Sequence, residues 1–183
     1  MEFESNDNVC ELLDYVYKNG ALKGNAKAIN SDKTLFDEVI EVFELEKVLN
    51  HNLQEISKGE IQRVLLAFSI LYGSSSVFMD EPFFAMEYPQ KEKALKYLKD
   101  FCKNTGTAVF ISMHELDLTR KYADTVLLIH PNKDMSYGTV EEVLTNEELE
   151  KAYGFPASML KNNEELTREQ LVQISSSIKE ANL

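Results

Sequence analysis

Val77-Phe78-Met79-Asp80-Glu81-Pro82 joins a short apolar run to two consecutive carboxylates and a proline. Such a run is expected to be a buried strand that delivers Asp80 at its carboxyl end, where α/β sheets place their ligands. A carboxylate there can hold Mg²⁺ directly or through water. Glu81, one residue further, can orient or deprotonate an attacking water. Taken alone, such a pair more often opens a loop that binds nothing; the surrounding sequence reverses that judgement.

Short β-branched and apolar runs at 76–79, 107–112 and 125–129 are expected to be buried parallel strands. A helix with Pro89 near its start, ending at Asn104-Thr105-Gly106, joins the first two. A shorter helix over 115–122 joins the second and third. This alternation predicts an α/β fold with a parallel sheet. Residues 1–55 read as helical instead. Val9, Leu12, Leu13 and Val16 recur at helical spacing before the stop signal Asn19-Gly20. Ser31 is the expected cap of a helix over 32–47, with Leu35, Val39, Ile40, Phe43 and Leu45 on its apolar side. The dense apolar pattern of 59–72 indicates a well-buried helix. Further on, Thr139-Val140-Glu141-Glu142 has capping-box spacing, a second helix follows over 146–153, and Thr167-Arg168-Glu169-Gln170 opens a last one with Leu171 and Ile174 inward.

Composition narrows the function classes. The 183 residues are 44% hydrophobic, enough for one domain with a proper core. Lys and Arg total 19 against 31 Asp and Glu, a net charge of -12, and such a surface repels nucleic-acid backbones. Cys10 and Cys102 have neither disulfide-framework nor zinc-site spacing, which suits reduced thiols in the cytosol. The acidic start Met1-Glu2-Phe3-Glu4 has no apolar run of a signal peptide, and no stretch approaches the roughly 20 apolar residues that span a bilayer. A cytoplasmic chain able to dock onto a membrane protein is expected.

Two further segments flank the acidic pair. In Ile56-Ser57-Lys58-Gly59-Glu60-Ile61-Gln62-Arg63, Ser57-Lys58-Gly59 stands where the 59–72 helix starts, and a helix N-terminus offers N–H groups and partial positive charge to a phosphate. Ser57 and Glu60 also have capping-box spacing, and both roles can hold at once. In Ile111-Ser112-Met113-His114, a histidine follows a strand; alone it would more often be structural, as His51 and His130 are read to be.

The order and spacing of these segments resemble the second half of an ATP-binding cassette (ABC) ATPase, over about residues 8–156. The resemblance implies a partial P-loop NTPase core with a parallel sheet plus an N-terminal helical subdomain. Residues 1–55 would be that subdomain, 56–156 the C-terminal part of the core (signature, Walker B, D-loop and switch histidine), and 157–183 a helical tail. It implies Asp80 for Mg²⁺, Glu81 as the base and His114 at the γ-phosphate of ATP, with Ser57, Gly59 and Gln62 at nucleotide held on the opposite subunit. Three positions depart from the family's pattern: Lys58 stands in place of a glycine, and Phe84 and Glu87 in place of the D-loop serine and aspartate. Ala123–Leu128, Tyr137–Leu144 and Tyr153-Gly154-Phe155 most resemble ATPases of iron–siderophore and cobalamin importers.

A phosphate loop requires Gly-x-x-x-x-Gly-Lys-Ser/Thr, and none of the seven glycines is followed by lysine. In the family's sheet the strand feeding that loop lies between those expected at 107–112 and 125–129. Either these two strands close up or a partner chain fills the place. The resemblance thus implies a partial ATP-binding subunit of an importer, inactive alone. It would need ATP, Mg²⁺, a second ATPase chain or a Walker A-containing polypeptide, and an ABC permease at the inner face of the cell membrane. Two alternatives stay open: a non-catalytic module that pairs with an intact cassette, and an SMC-like ATPase lobe. The acidic surface and the lack of a heptad coiled coil weigh against the second.

Overall fold

Asn8 starts the first helix through a reciprocal cap: its side chain accepts from the Glu11 N–H at 2.8 Å, and its own N–H donates to the Glu11 carboxylate at 3.4 Å. The architecture is that of a computed structural model describing residues 8–29 and 32–154. The chain divides after His114 into two compact units.

In the first unit, helix α1 (Val9–Asn19) ends at Gly20, as its stop signal predicts, and buries Val9, Leu13, Val16 and Tyr17. Helix α2 (Leu35–Val42) is shorter than the expected 32–47 and is capped by Thr34. Glu44 adopts a φ of 55°, which no right-handed helix continues, so Phe43 and Leu45 reach the core from a turn. The expected cap Ser31 lies outside the described residues. Helix α3 (Lys58–Tyr72) buries Val64, Leu66, Ala67, Ile70 and Leu71, and stops at Gly73 with φ 79°. Helices α1 and α2 pack on α3, and α2 also meets helix α4 (Tyr88–Thr105).

One carboxylate is buried in this helical core. Glu38 on α2, 5% exposed, accepts the Tyr97 hydroxyl of α4 at 2.9 Å and the Ile29 N–H at 2.8 Å. These bonds satisfy a charge that would otherwise be costly to bury, and they tie two helices to an irregular segment. Burial pushes the Tyr97 hydroxyl above its ordinary pKa, and the adjacent Glu38 charge pushes it further.

Strand β1 (Ser76–Asp80) runs parallel to β2 (Ala108–Ser112), with α4 as the crossover and registers from Ser76↔Ala108 to Asp80↔Ser112. The expected α/β fold with a parallel sheet is present. The strands, however, are not buried on both faces as expected. Val77, Met79, Val109 and Ile111 are half-buried, whereas Phe78 and Phe110 are 76% and 52% exposed. Their rings stack on each other at 4.5 Å because, among the described residues, nothing else covers that face.

The second unit holds α5 (Leu116–Tyr122), β3 (Thr125–Ile129), β4 (Met135–Thr139), α6 (Val140–Val143) and α7 (Asn146–Tyr153). Here a second expectation is corrected: the pairing of β3 within this unit is antiparallel, with β4, from Thr125↔Thr139 to Ile129↔Met135. The cause is local: His130 N–H donates to the Asp134 carbonyl at 2.9 Å, and Lys133 takes φ 69°, which reverses the chain tightly. Thr139 and Glu142 form the predicted capping box, with the Thr139 N–H donating to the Glu142 carboxylate at 2.8 Å. Val140, Leu144 and Leu149 form the core of this unit with Leu116, Ala123 and Val126 against them. The largely buried His130 lies 2.9 Å from the Ser136 hydroxyl, a structural setting. The helix expected at Thr167 lies outside the described residues.

Among the described residues, β1 and β2 form one two-stranded sheet within the first unit, and β3 and β4 another within the second.

Tyr97→Phe leaves the Glu38 carboxylate with one fewer donor and should cost about 1.5–3 kcal/mol in urea denaturation at neutral pH. A raised pKa in the fold means this stabilisation is complete below the tyrosine's ordinary value of about 10 and is lost as pH rises beyond it. The variant should therefore lose less stability than the parent on alkaline titration.

Candidate functional site at the ends of two parallel strands

Register brings the chemistry together. Asp80 and Ser112 are partners at the last rung of β1 and β2, so both carboxyl ends open at one place. The Ser112 hydroxyl donates to Asp80 Oδ1 in a short contact. The Glu81 N–H donates to the Ser112 Oγ at 2.9 Å and to the Ser112 carbonyl at 3.2 Å. Glu81 itself has a φ of 44°, a left-handed conformation that costs a side-chain-bearing residue about 1–2 kcal/mol. That turn swings its carboxylate toward β2, where Oε1 lies 2.8 Å from His114 Nε2. An ionised carboxylate only accepts, so Nε2 carries the proton in this arrangement. Both side chains face solvent, 49% and 78% exposed, and remain accessible to a ligand.

Asp80, Glu81 and His114 thus form one cluster. Ser57, Gly59 and Gln62 form a second group on the first turn of α3. Ser57 is the N-cap: its Oγ accepts from the Glu60 N–H at 3.3 Å, and its N–H donates to the Glu60 carboxylate at 2.8 Å. Hydrogen bonds from the Ser57 hydroxyl and from the Ser57 N–H hold the Glu60 carboxyl below its ordinary pKa. The first N–H groups of a helix have no intrahelical acceptor and remain able to meet a ligand. Gln62 is half-buried on the same turn.

The two groups are linked by the turn after β1. The Phe84 N–H donates to the Glu81 carbonyl and the Met86 N–H to the Phe83 carbonyl, both at 3.1 Å. Phe83 and Met86 are buried, while Phe84 is 64% exposed. Ala85, at φ 63°, places its carbonyl oxygen 2.6 Å from where a Cβ on Gly59 would stand. Glycine at 59 is therefore required by the close passage of this turn. Glu87 is the N-cap of α4, where its N–H donates to Gln90 Oε1 at 3.4 Å.

The donor set decides what could bind. Among the described residues no group of three His, Cys, Asp or Glu side chains could hold a metal by itself. One carboxylate with hydroxyl neighbours instead suits Mg²⁺, which draws its remaining oxygens from water and phosphates. The residues fit a Mg²⁺ shared with a polyphosphate, with Asp80 as the protein ligand. Sequence reasoning missed Ser112 and the Gly59–Ala85 approach. Both residue types are visible in the sequence, but the register and the turn conformation that give them meaning are not.

No protein-family model matches the chain. The molybdenum import ATP-binding protein ModC of Shewanella sp. strain MR-4 is 30% identical over 145 residues, covering 75% of this chain and 40% of that protein. The manganese transport system ATP-binding protein MntB of Halalkalibacterium halodurans is 31% identical over 128 residues, covering 69% and 50%. The chain therefore spans half or less of the length of these relatives. Among solved structures, an ATP-binding subunit of an ABC transporter superposes with a TM-score of 0.60 at 19% identity, covering 89% of this chain and 64% of that one. Archaeal ABCE1, from a ribosome-bound complex with Pelota, gives 0.65 at 26%, covering 80% and 23%.

Gly59→Ala forces a methyl group against the Ala85 carbonyl, so it should destabilise the chain by about 1–3 kcal/mol in urea denaturation. A variant as stable as the parent would mean that the 82–86 turn yields without cost.

Proposed function

The homologues of this chain are ABC transporter ATP-binding proteins, which it covers in part, and its fold is that of the P-loop ABC ATPases; on that footing we propose that it supplies the signature, Walker B and switch-histidine elements of an importer's ATP hydrolysis. The observation that carries this reading is the convergence of Asp80, Glu81 and His114 at the open ends of β1 and β2.

Asp80 holds Mg²⁺ between protein and phosphates. The Glu81 carboxylate orients the attacking water and takes its proton, with His114 beside it to meet the γ-phosphate. Ser57, Gly59 and Gln62 present the start of α3 to the nucleotide of a second ATPase chain. Residues 1–55 serve as the helical subdomain and 56–156 as the C-terminal part of the core. Most of the grip on a triphosphate comes from the N–H groups and lysine of a phosphate loop, so that loop comes from polypeptide outside these 183 residues. The exposed Phe78–Phe110 stack supports this, since apolar surface on a sheet face is stable only when something covers it. The assembly sits on a permease at the inner face of the membrane. Among the described residues no helix is long and apolar enough to cross that membrane.

A second reading has its own support. Lys58 at the first turn of α3 and the outward Phe84 replace the family's glycine and D-loop serine, and Glu87 is committed to capping α4. A chain so altered completes a partner's site through α3 without hydrolysing ATP in its own.

Calorimetric titration with Mg-ATP should detect no micromolar binding by the chain alone, and binding with turnover once a polypeptide carrying an ABC-type phosphate loop is added. Glu81→Gln should then lower turnover by about 100-fold or more. Unchanged turnover would favour the interaction module, and micromolar binding by the chain alone would overturn the need for a second polypeptide.

A further inference from the structure

We propose that Ser112 is the positioning residue of this site: its one hydroxyl aims the Asp80 carboxylate and holds the Glu81 backbone in its left-handed turn. The inference rests on the reading above for the reaction that the two carboxylates serve.

The hydroxyl is used in both directions. It donates to Asp80 Oδ1, which leaves Oδ2 as the oxygen free to meet a metal, and it accepts from the Glu81 N–H at 2.9 Å. A serine at a strand end with no task beyond solubility would turn its hydroxyl to water. Here Ser112 is paired in register with Asp80, and this rung is the last before β1 leaves the sheet. The backbone conformation of Glu81 is unfavourable by itself, and the Oγ and carbonyl of Ser112 together receive its N–H. Without the hydroxyl, the carbonyl at 3.2 Å is the weaker acceptor left, and the Asp80 carboxylate regains rotation about χ2. His114, two residues further along, meets the carboxylate of the same Glu81 at 2.8 Å. Ser112 thus sets the backbone and His114 the side chain of one residue. The hydroxyl touches no reacting atom, so its part is orientation.

The test compares Ser112→Ala, Ser112→Thr and Ser112→Val in the full chain. Threonine keeps the hydroxyl, and valine matches threonine in shape without it. Solvent exchange of the Glu81 amide, read by NMR, should quicken about tenfold in the alanine and valine variants and stay near the parent rate in the threonine variant. Equal exchange in all four proteins, or a threonine variant that follows valine, overturns the proposal. Manganese uptake with ATP, read by electron paramagnetic resonance on the chain plus a phosphate-loop polypeptide, should weaken several-fold in the alanine and valine variants alone. Uptake by the parent with no difference among variants overturns the part concerning Asp80. Failure of the parent itself to take up manganese and ATP would overturn the functional reading instead, and amide exchange would still decide the role of Ser112.

Discussion

The parallel pairing of β1 with β2 is the constraint on which the site depends. Side chains alternate faces along a strand, so a slip of one residue would turn Ser112 away from Asp80 and remove the acceptor of the Glu81 N–H. Register is set by how α4 delivers the chain to β2. That helix ends at Gly106 with φ 73°, and the Ala108 N–H then donates to the Ser75 carbonyl at 3.0 Å. Two residues of backbone thus fix the placement of every group at the opposite end of the sheet.

From the strand ends, order passes to the helices through one turn. The 82–86 segment anchors itself with buried Phe83 and Met86 and lays the Ala85 carbonyl over Gly59, so the acidic cluster and the start of α3 are held by the same few residues. Helix α3 is in turn fixed to the end of α2. Arg63, largely buried, donates to the carbonyls of Phe43 and Glu44 at 3.0 Å each. These bonds satisfy the carbonyls that α2 leaves open where Glu44 turns left-handed. The more exposed Lys93–Glu44 pair at 3.1 Å adds little beyond orientation.

Each unit also presents an apolar sheet face. Phe78 and Phe110 in the first, and Leu127, Ile129, Met135 and Tyr137 in the second, are more than half exposed. Covering a large apolar side chain is worth about 1.5–3 kcal/mol, so these faces represent stabilisation that the described residues do not themselves obtain.

Local chemistry was legible from residue order. Asn19-Gly20 ends a helix where a Cβ on residue 20 would meet the Val16 and Tyr72 carbonyls, Ser57 and Thr139 cap helices because their oxygens reach an N–H three residues on, and 76–79 is a strand because its residues pack on a pleated surface. The strand–helix–strand order and the acidic pair Asp80-Glu81 were read in the same way, whereas His114 was singled out by the family resemblance alone. Pairing could not be read so. That 125–129 folds back on 135–139 is decided by a near turn, in which Lys133 takes φ 69°, and no alternation of apolar residues announces it. The length of the second helix was missed because Glu44 turns left-handed against its own propensity, under packing that seats Phe43 and Leu45. Ser112 escaped notice for the same cause. Its partners lie 31 and 32 residues away, and contacts at that distance come from the register of a sheet, which residue order does not encode in any local pattern.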